Sequence, residues 1–227
     1  MKAVQGVGRA RLAGPAALAL LAGLLSAGQS QAREAEERFE RLEQRLLNAD
    51  SICVRFHIES SGAVASKLHG SARFVQSGNG ATMQAAGTFA GKDVDLKLES
   101  ANGRLLLGPD GQYDKATPPA LYEALAIGLT RMGLLHNLAM LSAGMPPDHG
   151  DGGVREWVQA DRISGEGPDD AIEFTVVVSG KDSGVVNLHI DPRGLPLLRE
   201  QTVHFAEGAM HVVERYEAFE TGCPAGT

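Results

Sequence analysis

The hydrophobic positions along this chain keep a helical period, then switch to a period of two, and break that alternation once. In a helix predicted over residues 33–48, Ala35, Phe39, Leu42 and Leu46, with Ala49 just beyond, recur at steps of four, three, four and three, a single apolar stripe. The opposite side is charged. Glu34 with Arg38 and Glu37 with Arg41 stand at the i,i+4 spacing in the acid-first order, which reads as a solvated face rather than a binding patch. After Asp50 and Ser51, the residues Ile52, Val54, Phe56 and Ile58 alternate with Cys53, Arg55, His57 and Glu59, the pattern of a strand buried on one side only. The alternation returns over 68–74, 83–89, 93–99, 104–107, 155–163, 172–178, 185–190, 197–205 and 210–219. Turn signals separate these runs: Ser77-Gly78-Asn79-Gly80, Asn102-Gly103, Pro109-Asp110-Gly111, 165–170, 180–184, Asp191-Pro192-Arg193-Gly194 and Ala206-Glu207-Gly208. About ten strands with a turn every ten or so residues predict an antiparallel meander.

The interruption is an apolar helical stretch over 118–145. Leu121, Leu125, Leu129 and Met132 form one face and Leu134, Leu138 and Leu141 another, with Glu123 and Arg131 the only charges. Thr117-Pro118-Pro119 reads as a cap followed by a first-turn proline. Gly133 should split the stretch into two short helices, since a mid-helix glycine costs about 1 kcal/mol and the apolar direction rotates there. Gly144 and Pro146-Pro147 end it, and a polar loop over 148–153 follows. A sheet apolar on one face must bury that face, and its available covers are this stretch and the 33–48 helix. A ligand is therefore expected between sheet and cover.

Composition changes the picture at the start of the chain. Lys2, Arg9 and Arg11 precede an apolar run over 12–27 that ends at Ser30-Gln31-Ala32, the layout of a signal peptide cleaved after Ala32. The alternative, a membrane anchor, needs roughly 20 apolar residues, more than this run supplies. With residues 1–32 removed, 195 of 227 residues remain, a length suited to one domain over 33–227, and the balance becomes 18 basic against 28 acidic, net −10. That charge, without a basic cluster interleaved with aromatics, excludes nucleic acid as a partner.

An exported chain with two cysteines favours a Cys53–Cys223 disulfide, which stabilises by about 4–5 kcal/mol in the chain-entropy treatment; two separate thiols are the alternative. No two of the seven histidines stand at a metal-binding helical spacing, so no metal and no cofactor are expected. No G-x-S-x-G elbow is present, glycine-rich turns serve hairpins, and paired acids such as Asp93 with Asp95 fall on strand faces, so no catalytic residue is assigned and the chain reads as a non-enzyme.

Binding remains. A large antiparallel sheet curls, and its apolar concave face can hold an acyl chain beneath a helical lid. Leu121, Leu125, Leu129, Met132, Leu134, Leu138 and Leu141, with Phe56 and Phe74 from the sheet, are the expected lining; the alternative is that the same residues are solid core. The order of elements is similar to that of the LolA/LolB-like periplasmic lipoprotein carriers. It comprises a signal peptide, a helix with Phe39-x-x-Leu42, a strand with Val54-Arg55-Phe56, a central helical interruption and a closing Glu214-Arg215-Tyr216-x-x-Phe219. The segment Ile190-Asp191-x-x-Gly194-Leu195-Pro196 resembles a late-strand turn of that superfamily.

The resemblance implies an α+β fold, an unclosed antiparallel half-barrel with an N-terminal helix and a central helical lid. It also implies a periplasmic carrier that shelters acyl chains of lipids or lipoproteins, without catalysis or cofactor. The family's Lys-Arg-Pro pattern after the second strand, whose arginine helps hold the lid, has Phe74-Val75-Gln76-Ser77 in its place, so that arginine is not carried over. The alternative function is a non-carrier interaction or regulatory module of the same fold that presents an acidic surface to an envelope protein partner, and on either reading a monomer is expected.

Overall fold

The computed structural model describes residues 15–108, 113–142, 158–164, 171–178 and 181–224, with side chains described except at 15–28, 113, 141, 142, 159 and 178. The expected turns at 109–111 and 165–170, the helix end at Gly144 to Pro147, the 148–153 loop and the strand start at 155–157 lie outside the described residues. A helix, α1 (Pro15–Leu47), leads into six strands, β1 (Ser51–Gly62), β2 (Ser66–Val75), β3 (Gly80–Phe89), β4 (Lys92–Ala101), β5 (Arg104–Gly108) and β6 (Tyr113–Ala116). Two helices follow, α2 (Leu121–Arg131) and α3 (Leu134–Ser142). The chain ends in β7 (Val158–Ser164), β8 (Ala171–Val178), β9 (Lys181–Ile190), β10 (Pro196–Phe205) and β11 (Gly208–Thr221).

All eleven strands form one antiparallel sheet in the order β6-β5-β4-β3-β2-β1-β11-β10-β9-β8-β7. The first strand pairs with the last, Ile52 opposite Thr221 and Ile58 opposite Glu214, so the two runs of strands meet in the middle and β6 and β7 become the outer edges. This is the unclosed half-barrel with a helical cover. The strand beyond the expected ten is β6, which pairs with β5 from Tyr113 opposite Leu107 to Ala116 opposite Arg104. Its polar Asp114 and Lys115 give no alternation to read.

The helical insertion lies between the two edge strands in sequence and packs into the concave face with α1. Ala35, Phe39, Leu42 and Leu46 are buried, as their stripe requires, and join Ile52, Val54, Phe56 and Ile58 in one core. Phe39 meets Phe174 of β8 edge to face at 4.6 Å between ring centroids. The helix predicted over 33–48 is the C-terminal half of α1, which runs without a break from Pro15. None of the described helices is long and apolar enough to cross a membrane.

Two sequence-level details are corrected. The N-terminus of α2 is not capped by Thr117: Ala120 takes the cap position, and the side-chain acceptor comes from the β2–β3 hairpin, where Asn79 Oδ1 accepts the Tyr122 amide at 2.7 Å. Thr117 Oγ1 instead meets Ser100 Oγ at 3.1 Å. The Asn79 amide group donates to the carbonyls of Pro118 and Pro119, the latter at 3.0 Å, and Asn79 itself sits at φ +52°, a conformation that asparagine tolerates. On the charged face of α1, Glu37 pairs with Arg33 at 2.9 Å rather than with Arg41.

Cys53 and Cys223 form a disulfide across 170 residues, tying the C-terminal tail to the start of β1 on the outer face. It stands at the same end of the sheet as the Asn79 hairpin, the turn at 191–194 and the C-terminus of α1. This end is sealed. At the other end, the β1–β2 and β10–β11 connections, joined by Ala63 N to Ala209 O at 2.9 Å, surround an opening.

Candidate functional site

The site begins at the corner between α2 and α3. Gly133 forms the break, at φ +82°, and an added Cβ there would lie 2.7 Å from both Arg199 Nη1 and Glu214 Oε1. Conformation and space both demand glycine. Arg199 of β10 and Glu214 of β11 are cross-strand partners whose side chains point into the concave face, each 0% exposed. The charges suit the helix ends they meet. Arg199 Nη2 donates to the Arg131 carbonyl at the C-terminus of α2 at 2.9 Å, where a cation complements the helix dipole. Glu214 accepts the first amides of α3, from Leu134 at 2.9 Å and Leu135 at 2.8 Å, where an anion does. Tyr216 donates its hydroxyl to Glu214 Oε2 at 2.8 Å; burial, reinforced by the Glu214 charge, pushes its pKa well above 10 and keeps the donor proton in place.

A second buried charge group holds the cover to α1. Arg131, 2% exposed, donates from Nε to Glu43 Oε1 at 2.8 Å and from Nη2 to Glu43 Oε2 at 2.9 Å, a bidentate pair, and from Nη1 to the Val158 carbonyl at 2.6 Å. Glu36 links the same arginine, at 3.3 Å, to the Ala160 amide of β7, at 3.0 Å. Burial opposes the Arg131 charge, but the Glu43 and Glu36 carboxylates outweigh it and raise its pKa above the ordinary guanidinium value. The guanidinium also lies 4.6 Å from the Phe39 ring centroid. At the sealed end, the Tyr122 hydroxyl stands 2.7 Å from both the Leu46 and Ala49 carbonyls, donating to one at a time; burial and then the nearby Asp50 raise its pKa to about 12.

Beside the corner, toward the open end, lies a cavity of about 560 Å³. Met132, Leu135, His136 and Ala139 form its cover, and Val176, Gln201, Val203, Phe205, Met210 and Val212 its sheet wall, with Val64 and Phe89 at the rim. Only His136 and Gln201 of these are polar. Phe205 is 46% exposed, so the apolar lining continues onto the surface at the mouth. Such a volume falls within the roughly 300–1,000 Å³ of small-molecule sites.

Of the residues expected to line a cavity, Met132 does. Leu121, Leu125, Leu129, Leu134 and Leu138 are 1–2% exposed and, with Phe56 and Phe74, belong to the closed core beneath and beside the corner. The side chain of Leu141 lies outside the described residues. His57 and His69 stack at 6.0 Å on the outer face, where His57 also meets Glu217 at 3.4 Å. Among the described residues, no group of three or more His, Cys, Asp or Glu side chains could hold a metal ion.

Arg199 and the inward role of Glu214 are not apparent from periodicity. The signal was present as an anomaly: Glu214 occupies the inward phase between Val212 and Tyr216, and Arg199 the inward phase of β10, two charges where alternation calls for apolar residues.

No family model matches the chain, and no curated protein does. Solved structures do. The chain is similar to the MucA/MucB complex structure of Pseudomonas aeruginosa, at 17% identity and TM-score 0.41, over 85% of this chain and 59% of that one. It is similar to LprF from Mycobacterium bovis, at 12% identity and TM-score 0.40, over 86% of this chain and 99% of that one. A LolA superfamily protein from Nitrosomonas europaea gives 10% identity and TM-score 0.22, over 86% of this chain and 94% of that one. The chain spans 59% of the length of the chain it matches in the MucA/MucB complex.

Proposed function

We propose that this is an exported, periplasmic binding protein whose cavity at the open end shelters an acyl chain of a lipid or lipoprotein, in a carrier or chaperone role. The observation that carries the reading is the apolar cavity of about 560 Å³ between α3 and the sheet, with its exposed Phe205 lip. Met132 and Leu135 lie on the cover side of the chain's path, Val203 and Val212 on the sheet side, and the flexible thioether of Met132 adapts to chains of different shape. Leu121, Leu125, Leu129, Leu134 and Leu138, with Phe56 and Phe74, are the apolar floor that a longer chain would reach by displacing α3.

The test combines lipid extraction and native mass spectrometry of protein purified from the periplasm with titration of a fluorescent fatty acid. Bound acyl lipid, and probe binding abolished by Val203→Trp in a folded variant, are the expected results. Protein that is empty in every preparation and fails to bind the probe overturns the reading.

A second reading has its own observation. The five leucines at 1–2% exposure pack as ordinary core, which suits a module that engages an envelope protein partner through its outer surface without opening. Met132→Asp, at the cavity border, separates the two: the acyl reading expects a folded protein that has lost probe binding, and the module reading expects a parent that binds no probe and a variant that still engages its partner.

A further inference from the structure

The cavity at the open end is layered, and the layers run opposite to what a chain entering tail first would need. Inward positions of β10 and β11 pair across the sheet as Arg199 with Glu214, Gln201 with Val212, Val203 with Met210 and Phe205 with Gly208, in order from the corner at Gly133 to the mouth. Apart from Gln201, the residues of β10 and β11 that line the cavity are apolar, so the polar group stands at the inner end and the apolar groups at the exit. An acyl chain joined to glycerol or to a protein enters by its methyl end and leaves its carbonyl at the mouth. It offers nothing to a polar group at the inner end.

The Gln201 amide is oriented from behind. Arg199 Nη1 donates to Gln201 Oε1, and because a guanidinium has donors only, the amide oxygen must face it and the NH2 group must point away. Those N–H donors are turned to the cavity that Gln201 lines. Arg199 is 0% exposed; its Nη2 is used by the Arg131 carbonyl, and its Nε is buried without a hydrogen-bond partner among the described residues. The Glu214 oxygens are occupied by the Leu134 and Leu135 amides and the Tyr216 hydroxyl. One layer behind the cavity there is thus a cation with donor capacity that the protein leaves unused. Its charge polarises the Gln201 amide and strengthens the donors on the cavity side. His136, the other polar lining residue, belongs to the cover and already has a partner.

We propose that the cavity takes a free fatty acid head first, its carboxyl oxygen accepting from Gln201 Nε2 at the inner end and its methyl end lying at the Phe205 lip. This rests on the acyl reading above and narrows its ligand to an unattached, single-chain acid. Behind Gln201 lie Arg199, Glu214 and closed core, so a head that reaches the amide must be as small as a carboxyl group. A donor backed by a buried cation suits an oxygen of that group better than bare hydrocarbon, which would leave the amide desolvated and unpaired. Four residues of β10 carry the chain from Gln201 to Phe205, about 13 Å of strand, a length that an extended medium-chain acid covers.

The experiment uses protein purified from the periplasm and stripped of lipid, and compares titration of dodecanoic acid with that of N-phenylnaphthylamine, an apolar probe without an oxygen acceptor. Gln201→Leu, checked for folding by thermal melts, should lower the acid-to-probe affinity ratio about tenfold, as for loss of one hydrogen bond to a charged group. Gln201→Glu still accepts from Arg199 but has no N–H to give, and should lower the ratio further. A third measurement needs no variant: with dodecanoic acid isotope-labelled at both ends, a water-soluble paramagnetic agent should broaden the methyl resonance and spare the carboxyl. The reverse pattern leaves the acyl reading standing and overturns head-first binding. A ratio indifferent to both variants, or a parent that binds the probe and not the acid, does the same. A parent that binds neither overturns the acyl reading and this inference together.

Discussion

The two ends of the half-barrel are built on opposite principles. At the sealed end described connections are tied to one another: the disulfide joins the tail to β1, Asn79 holds the start of α2, Tyr122 reaches the last turn of α1, and Asp191 organises its turn through three hydrogen bonds. At the open end α3 lies over an apolar cavity, with its first amides on Glu214 and Asn137 Nδ2 donating to the Gly133 carbonyl at 3.0 Å. Between them stand the two buried arginines. The difference lies in what each helix rests on: α2 is tied at both ends over closed core, and α3 is tied at Gly133 and runs out over the cavity.

The largest effect is expected at the centre, where both ends depend on Arg131. Arg131→Leu leaves Glu43 buried and unpaired and should cost about 3–5 kcal/mol in urea denaturation, most of it recovered in the double variant with Glu43→Leu. A loss below about 1 kcal/mol would mean that α1 and the cover are independent, and the comparison would fail. Removing the disulfide with Cys53→Ser and Cys223→Ser should cost up to about 5 kcal/mol while leaving fatty-acid probe binding at the opposite end unchanged. Loss of probe affinity would show that the ends are coupled.

Smaller changes sharpen the contrast. Tyr122→Phe should cost about 1 kcal/mol and speed hydrogen exchange at the start of α2 without altering α3. In the parent protein, α3 amides should exchange faster than those of α2, read by mass spectrometry, because α3 lies over the cavity rather than on closed core.

The smallest effect concerns pH. Burial disfavours the Asp191 charge, but the Leu195 amide and the Arg193 side chain and amide outweigh burial and hold its pKa below the ordinary 3.8. A depressed acid stabilises the fold fully above its unfolded pKa and loses that contribution as pH falls through the folded one. Stability should therefore drop below about pH 4 by more in the parent than in Asp191→Asn, a difference confined to the sealed end and measured by thermal melts across that range.

Much of this was legible in the residues. The alternation of Ile52 to Glu59, the helical stripe of Phe39 and Leu42, the break at Gly133 and the pairing of Cys53 with Cys223 all follow from local period, glycine chemistry and the parity of cysteines. The cap on α2 was not legible, because its acceptor, Asn79, is contributed from a hairpin some forty residues away. The position of the cavity was not legible for a related reason: an apolar face at helical spacing shows that Leu121 to Leu138 are buried, and does not show whether sheet or empty space lies opposite.

Sequence by itself determined the period of each element, the order of strands and covers, and the places where the chain must turn, since these depend on neighbours within a few residues. Tertiary structure alone decided that β1 pairs with β11, that Arg199 and Glu214 meet the two helix ends at Gly133, and that Met132 rather than Leu129 borders the cavity. Each is a meeting of residues distant in the chain, set by the curvature of one sheet around its cover, and no local pattern encodes that curvature.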